Sequence, residues 1–197
     1  MRAPVHTLRI TGGTLRGRKL AVPPGRNVRP TAERVREALF NRLAHGGFGE
    51  DGASILVGAR VLDLCCGTGA LAFEAVSWGA EHATLVDADP GVLRLARSNA
   101  EALGLAKACT IHPAKLPGGM PRGPFDLVFL DPPYAEGLVE PILSALAVSG
   151  SVRQRGLISV ETSAKLDLNV PEGFALLHEK CYAAAKIWLL RVGHSGD

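Results

Sequence analysis

The stretch Asp63-Leu64-Cys65-Cys66-Gly67-Thr68-Gly69-Ala70 decides how this chain of 197 residues is read. It follows Arg60–Leu64, an apolar run that reads as a strand, and opens Ala70–Trp78, which reads as a helix. Glycines at such a turn let the backbone approach a ligand closely, and the helix N-terminus attracts an anionic group. Gly67-x-Gly69-x-x-Ala72 also satisfies the pattern of dinucleotide sites. Asp63, four residues before Gly67, tilts the choice. Its carboxylate would repel a pyrophosphate but suits a cationic amino group. S-adenosylmethionine carries an ammonium, a sulfonium and a single carboxylate. A Gly-rich turn without a ligand is the plainer alternative.

Outward from this turn, strands and helices alternate. His82–Val86, Ala108–His112, Phe125–Leu130 and Gly156–Glu161 read as strands, and Pro90–Leu103 and Gly137–Ala147 as helices. Pro90 suits the first helical position and Asp89 the N-cap. Phe174–Lys180 and Ala185–Arg191 look like a closing antiparallel pair. The pattern predicts an α/β, Rossmann-like fold with a seven-stranded, mostly parallel sheet covered on both faces.

Upstream, residues 8–22 (LRITGGTLRGRKLAV) read as a small β-hairpin, and PPGRNVRP as a linker. Thr31 is placed to cap the helix TAERVREALFNRLA, with Val35, Leu39 and Leu43 on one face. A Gly-rich loop over residues 45–58 marks a boundary. The expected organisation is a hairpin and helix over 1–44, a sheet domain over 45–192 and a frayed tail over 193–197.

The net charge of +3 hides an asymmetry. Residues 1–42 hold ten Arg and Lys against Glu33 and Glu37, a net +8, and the remainder carries −5. A basic arm on a mildly acidic body suggests a polyanion partner. A solvated charged face is the bland reading. No apolar run approaches the ~18 residues of a spanning helix, and MRAPVHTLRITGG has no signal-like core. A cytoplasmic protein, with no membrane contact, is expected. Cys65, Cys66, Cys109 and Cys181 form no C-x-x-C pair and have no His completing a zinc pattern, so reduced thiols and no metal are expected.

Two further acids end strands. Asp87 can accept both hydroxyls of a ribose, in S-adenosylmethionine or NAD equally. Asp131 opens Asp131-Pro132-Pro133-Tyr134. An exocyclic base amine is a poor nucleophile because its lone pair is delocalised into the ring. A carboxylate and a backbone carbonyl can accept its two protons and localise that pair. Consecutive prolines fix the carbonyl direction, and Tyr134 can stack on an extruded base.

With these residues assembled, the chain resembles a known family. Asp131-Pro132-Pro133-Tyr134 looks like motif IV of amino-methyltransferases. The stretches beginning at Arg9 (RITGGTLRGRKL) and Arg29 (RPTAERVREALFN) resemble the RsmD family, bacterial 16S ribosomal RNA guanine-N2 methyltransferases. The likeness runs from residue 8 to about residue 191 and implies a class I S-adenosylmethionine-dependent methyltransferase. By this resemblance, Asp63, Gly67 and Gly69 line the methionine side of the cofactor, and Asp87 binds its ribose. Asp131 and the Pro132 carbonyl hold the guanine amine, while Tyr134 stacks on the base. Thr31, Arg34 and Asn41 flank the site. Arg9, Arg16, Arg18 and Lys19 on the hairpin, with Arg29 and Arg34, contact RNA. The implied partner is 16S rRNA; a 30S subunit or an assembly intermediate as the form met, rather than free RNA, and a monomeric enzyme are this sequence's own expectations. One departure stands out. Methyltransferases of this type often carry an acid or amide near the cofactor adenine, and Ile111-His112-Pro113-Ala114-Lys115 has none.

Three other readings compete. An adenine-N6 DNA methyltransferase shares Asp131–Tyr134, but no separate DNA-recognition domain is evident. An NAD-linked oxidoreductase needs a pyrophosphate beside Asp63 and a proton donor. A non-catalytic RNA-binding assembly factor would bind without methyl transfer.

Overall fold

The computed structural model describes residues 7–23, 30–133 and 137–193. Its elements are β1 (Thr7–Arg9), β2 (Lys19–Ala21), α1 (Pro30–His45), β3 (Arg60–Leu64), α2 (Ala70–Ser77), β4 (His82–Asp87), α3 (Pro90–Leu103), β5 (Cys109–Pro113), β6 (Phe125–Leu130), α4 (Val139–Ser149), β7 (Val152–Ser163), β8 (Phe174–Tyr182) and β9 (Ala185–Val192). Seven strands pair in the order β5-β4-β3-β6-β7-β9-β8. The first five run parallel, and β9 and β8 close the sheet antiparallel. The seven-stranded α/β sheet is as predicted.

Side-chain alternation sorts the strands into two apolar layers. Val61, Leu85, Leu127, Phe129 and Leu189 pack with α1, α2 and α3 on one face. Leu62, Leu64, Val128, Leu130, Ile158 and Leu190 pack with α4 on the other. α1 sits directly on the sheet, with the rings of Phe40 and Phe129 5.4 Å apart.

The hairpin is locked onto α2 and α3 by buried polar groups. Glu74 on α2 is fully buried and accepts from the Thr11 and Gly12 amides, the Thr11 hydroxyl and the Trp78 indole. Ser77 donates to the Gly12 carbonyl and accepts from the Leu15 amide. Gly12 lies against the Trp78 ring and left-handed Gly13 against the Ser77 carbonyl, so neither position has room for a Cβ. Asn99 of α3 accepts from the Ala21 amide at 2.9 Å. Its Nδ2 donates to the Ala21 carbonyl at 3.0 Å and to the Thr68 carbonyl at 3.2 Å.

Several element ends differ by one or two residues from the sequence reading, and three starts differ in a telling way. α1 begins at Pro30, so Thr31 lies inside the first turn rather than capping it, and proline suits that opening position. α4 starts at Val139. β7 begins at Val152, four residues early. Exposed Arg153, Gln154 and Arg155 hide its start, Arg155 is left-handed (φ 63°), and the ladder shifts register beside it. Asp89 caps α3 as expected, accepting from the Gly91 and Val92 amides. Beyond Gly193, the predicted frayed tail lies outside the described residues.

Candidate active site

The three strand-end acids converge through register. Leu64 pairs with Val86 on one side and Leu130 on the other. The next residue on each strand is therefore Asp87, Cys65 or Asp131, in one row along the carboxyl edge. Neighbouring strands lie about 4.8 Å apart, so the row spans about 10 Å. Ligands of open α/β sheets sit at this edge.

Asp63 lies one turn of the pleat below the row, on the face toward α2. It is buried; its Oδ2 accepts from the Ala72 amide at 3.1 Å, while Oδ1 has no hydrogen-bond partner among the described residues. Burial pushes its pKa up to about 7. The Ala72 hydrogen bond opposes that rise and the Asp87 charge adds to it. A buried carboxylate oxygen without a donor calls for a ligand that supplies one. The ammonium of S-adenosylmethionine has that chemistry, so the residues present fit the cofactor.

The loop above Asp63 is tightly wound. Cys65 is left-handed (φ 61°), a conformation costing a non-glycine residue about 1–2 kcal/mol. Gly67 and Gly69 also have positive φ, and a Cβ on Gly69 would run into Phe73 and Leu85. The Gly67 amide donates to Asp87 Oδ2 at 3.0 Å, and the Asp89 amide donates to Oδ1 at 3.0 Å. Asp87 thus clamps the loop and keeps lone pairs for hydroxyl donors. Burial, then the charges of Asp63 and Asp87, push the Cys66 thiol far up, so it stays protonated. No disulfide joins Cys65, Cys66, Cys109 and Cys181.

Asp131 is exposed, and its amide donates to the Leu64 carbonyl at 3.5 Å. Pro132 is buried and Pro133 exposed beside the end of β7. Tyr134 and Arg29 lie outside the described residues. Arg9, Arg16, Arg18 and Lys19 are exposed on the hairpin, Arg34 is exposed on α1, and Arg18 reaches the Ala102 carbonyl at the end of α3. His112 is engaged with the Gly119 carbonyl at 3.0 Å.

Sequence reasoning missed Glu74, Arg36 and Asn99, which hold the hairpin against the loop's helix. The available signal was an acid inside the apolar run ALAFEAVS, where a solvent-facing residue is the default reading.

The strand order, with a Gly-rich turn after β3 and an acid ending β4, is that of the Rossmann-like class I methyltransferases. Residues 8–191 match the family described as conserved hypothetical protein 95. The chain is 37% identical over 186 residues to Ribosomal RNA small subunit methyltransferase D of Escherichia coli strain K12, covering 91% of this chain and 89% of that one. It is 35% identical over 180 residues to the protein of the same name from Haemophilus influenzae, 88% of each. The solved structure of yhhF from Escherichia coli superposes with a TM-score of 0.82 at 33% identity, covering 96% of this chain and 100% of that one. The chain belongs to this family, the RsmD family of methyltransferases.

Proposed function

We propose that the protein methylates the exocyclic N2 amine of a guanine in 16S, small-subunit, ribosomal RNA. The observation that carries this reading is the row Asp87–Cys65–Asp131, which sets the Asp131-Pro132-Pro133 turn one strand from the Gly67–Gly69 loop. The relatives named for small-subunit ribosomal RNA supply the substrate class.

Asp63 holds the cofactor's amino group, Gly67 and Gly69 admit its methionine end, and Asp87 accepts from its ribose hydroxyls. When bound, S-adenosylmethionine supplies a methyl group already activated on a sulfonium. Asp131 and the Pro132 carbonyl would accept hydrogen bonds from the two amine hydrogens and turn the nitrogen lone pair toward the methyl, and Asp131 would receive the one proton released as the nitrogen–methyl bond forms. Tyr134 stacks on the extruded base. The remaining work is positioning. Arg9, Arg16, Arg18, Lys19, Arg29 and Arg34 neutralise phosphates.

With 10 aromatic residues in the chain, few stacking platforms exist, so the assembled 30S subunit or an assembly intermediate supplies part of the specificity. The protein acts as a monomer in the cytoplasm; none of the described helices is long and apolar enough to cross a membrane. The test is methyl transfer from labelled cofactor to unmodified 30S subunits, naked 16S rRNA and duplex DNA, followed by mass mapping of the product nucleotide. N2-methylguanine in RNA is expected; N6-methyladenine, or no transfer, overturns the reading.

A further inference from the structure

Away from the strand-end acids, a groove of about 390 Å³ runs between α1 and the outer strand β8. One wall carries Asn41, Arg42 and His45, which share a helical face at spacings of three and four. The other carries His178, Lys180 and Tyr182, alternate residues of β8. Among the described residues, no Asp or Glu lines it. Glu179 points its carboxylate to Lys186, 3.1 Å away.

Each of the two long cations lies over an aromatic ring. The Arg42 guanidinium lies 5.5 Å from the Phe48 ring centre, and the Lys180 ammonium 5.2 Å from that of Tyr182. Both side chains are exposed, and among the described residues their recorded side-chain partners are these rings. Burial, then the charges of Arg42 and Lys180, hold the His178 imidazole below its ordinary pKa despite Glu179. Like charges thus face each other across the groove, an arrangement that a bound anion relieves.

Its position ties it to the site. Tyr182 pairs with Ala185, and Ala185 with Ser163 at the carboxyl end of β7. The Tyr182 end therefore opens on the same sheet edge as Asp131, three strands away, or about 14 Å.

We propose that the groove between α1 and β8 binds the phosphodiester backbone of the RNA substrate, at a second contact separate from the hairpin. This rests on the RNA methyltransferase reading above. Cationic walls without acids suit phosphates, and a ring at the mouth suits a ribose or base face.

The test measures binding of unmodified 16S rRNA transcript over a series of KCl concentrations, for wild type, Arg42→Gln, Lys180→Gln and the double variant. The thermal shift induced by S-adenosylhomocysteine reports fold and cofactor binding independently. The double variant should bind RNA about tenfold more weakly at moderate salt, with a log–log salt slope shallower by about one to two and an unchanged thermal shift. Arg42→Lys with Lys180→Arg should restore both. Because Lys180 is exposed, its single variant remains informative if the double variant is unstable. Wild-type affinity and slope in the variants, while the wild type methylates RNA, would overturn the groove and leave the methyltransferase reading intact. Variants that keep naked-RNA affinity but lose affinity for 30S subunits would place a protein in the groove and overturn it equally. A wild type that neither binds nor methylates RNA would overturn both.

Discussion

Arg36 Nε lies 3.2 Å from Glu74 Oε2, with the two side chains 7% and 0% exposed, and Arg36 also donates to the Arg9 carbonyl at 2.6 Å. This buried pair joins α1, α2 and the hairpin at one point. It makes the basic N-terminal segment part of the packed body. Breaking one side of a buried pair leaves an uncompensated charge and unsatisfied amides, a loss of about 3–5 kcal/mol. Glu74→Ala should therefore lower unfolding stability in denaturant by that amount. A loss under about 1 kcal/mol would show that the hairpin docks without this carboxylate.

The hairpin cations can be tested without disturbing that core. Deleting residues 1–25 would strip the Thr11 and Gly12 donors from buried Glu74, so it would report on stability as well as on RNA. Arg16→Gln with Lys19→Gln changes two exposed side chains instead. RNA affinity should fall several-fold with a salt slope shallower by about one to two, and stability should stay within about 0.5 kcal/mol. Unchanged affinity in titrations would remove these residues from the interface.

Asp63, if it holds the cofactor's amino group as proposed, should make cofactor binding sensitive to pH. Its folded pKa of about 7 lies above the ordinary 3.8, because burial favours the neutral acid. In the ligand-free protein its contribution to stability is full below pH about 4 and is lost as pH rises to about 7. Binding of an ammonium group needs the ionised form, so affinity should strengthen over the same window. Calorimetry should show S-adenosylhomocysteine binding about tenfold tighter at pH 8 than at pH 6, with proton release below pH 7. Asp63→Asn should bind weakly and flatten the profile; a profile unaltered by that change would refute the assignment.

Asp131 should separate chemistry from cofactor binding. Asp131→Ala removes the acceptor for the amine and should slow methyl transfer by about 10²–10⁴-fold. The dissociation constant for S-adenosylhomocysteine should stay within about twofold, because Asp63, Gly67 and Asp87 are untouched. Single-turnover transfer at the wild-type rate would take Asp131 out of the reaction.

Local rules served where local physics decides. β6 occupies Phe125–Leu130 as read, because six residues dominated by buried apolar side chains leave few alternatives. Asp89 caps α3 through bonds to residues two and three positions away. The start of β7 was hidden because Arg153, Gln154 and Arg155 bulge out of the ladder between Val152 and Leu157, where their side chains reach water. Glu74 could not be recognised as structural, since Arg36 is 38 residues away and Thr11 is 63. The α1–β8 groove was equally invisible, since it joins residues 41–45 to residues 178–182 across an intervening strand.

The Asn99 carboxamide bonds Ala21 on the hairpin and Thr68 in the glycine turn. One side chain therefore ties the hairpin, proposed to meet RNA, to the turn proposed to admit the cofactor. Thermodynamic linkage makes any influence between the two symmetric: by whatever factor RNA on the hairpin alters cofactor affinity, cofactor in the turn alters RNA affinity by the same factor.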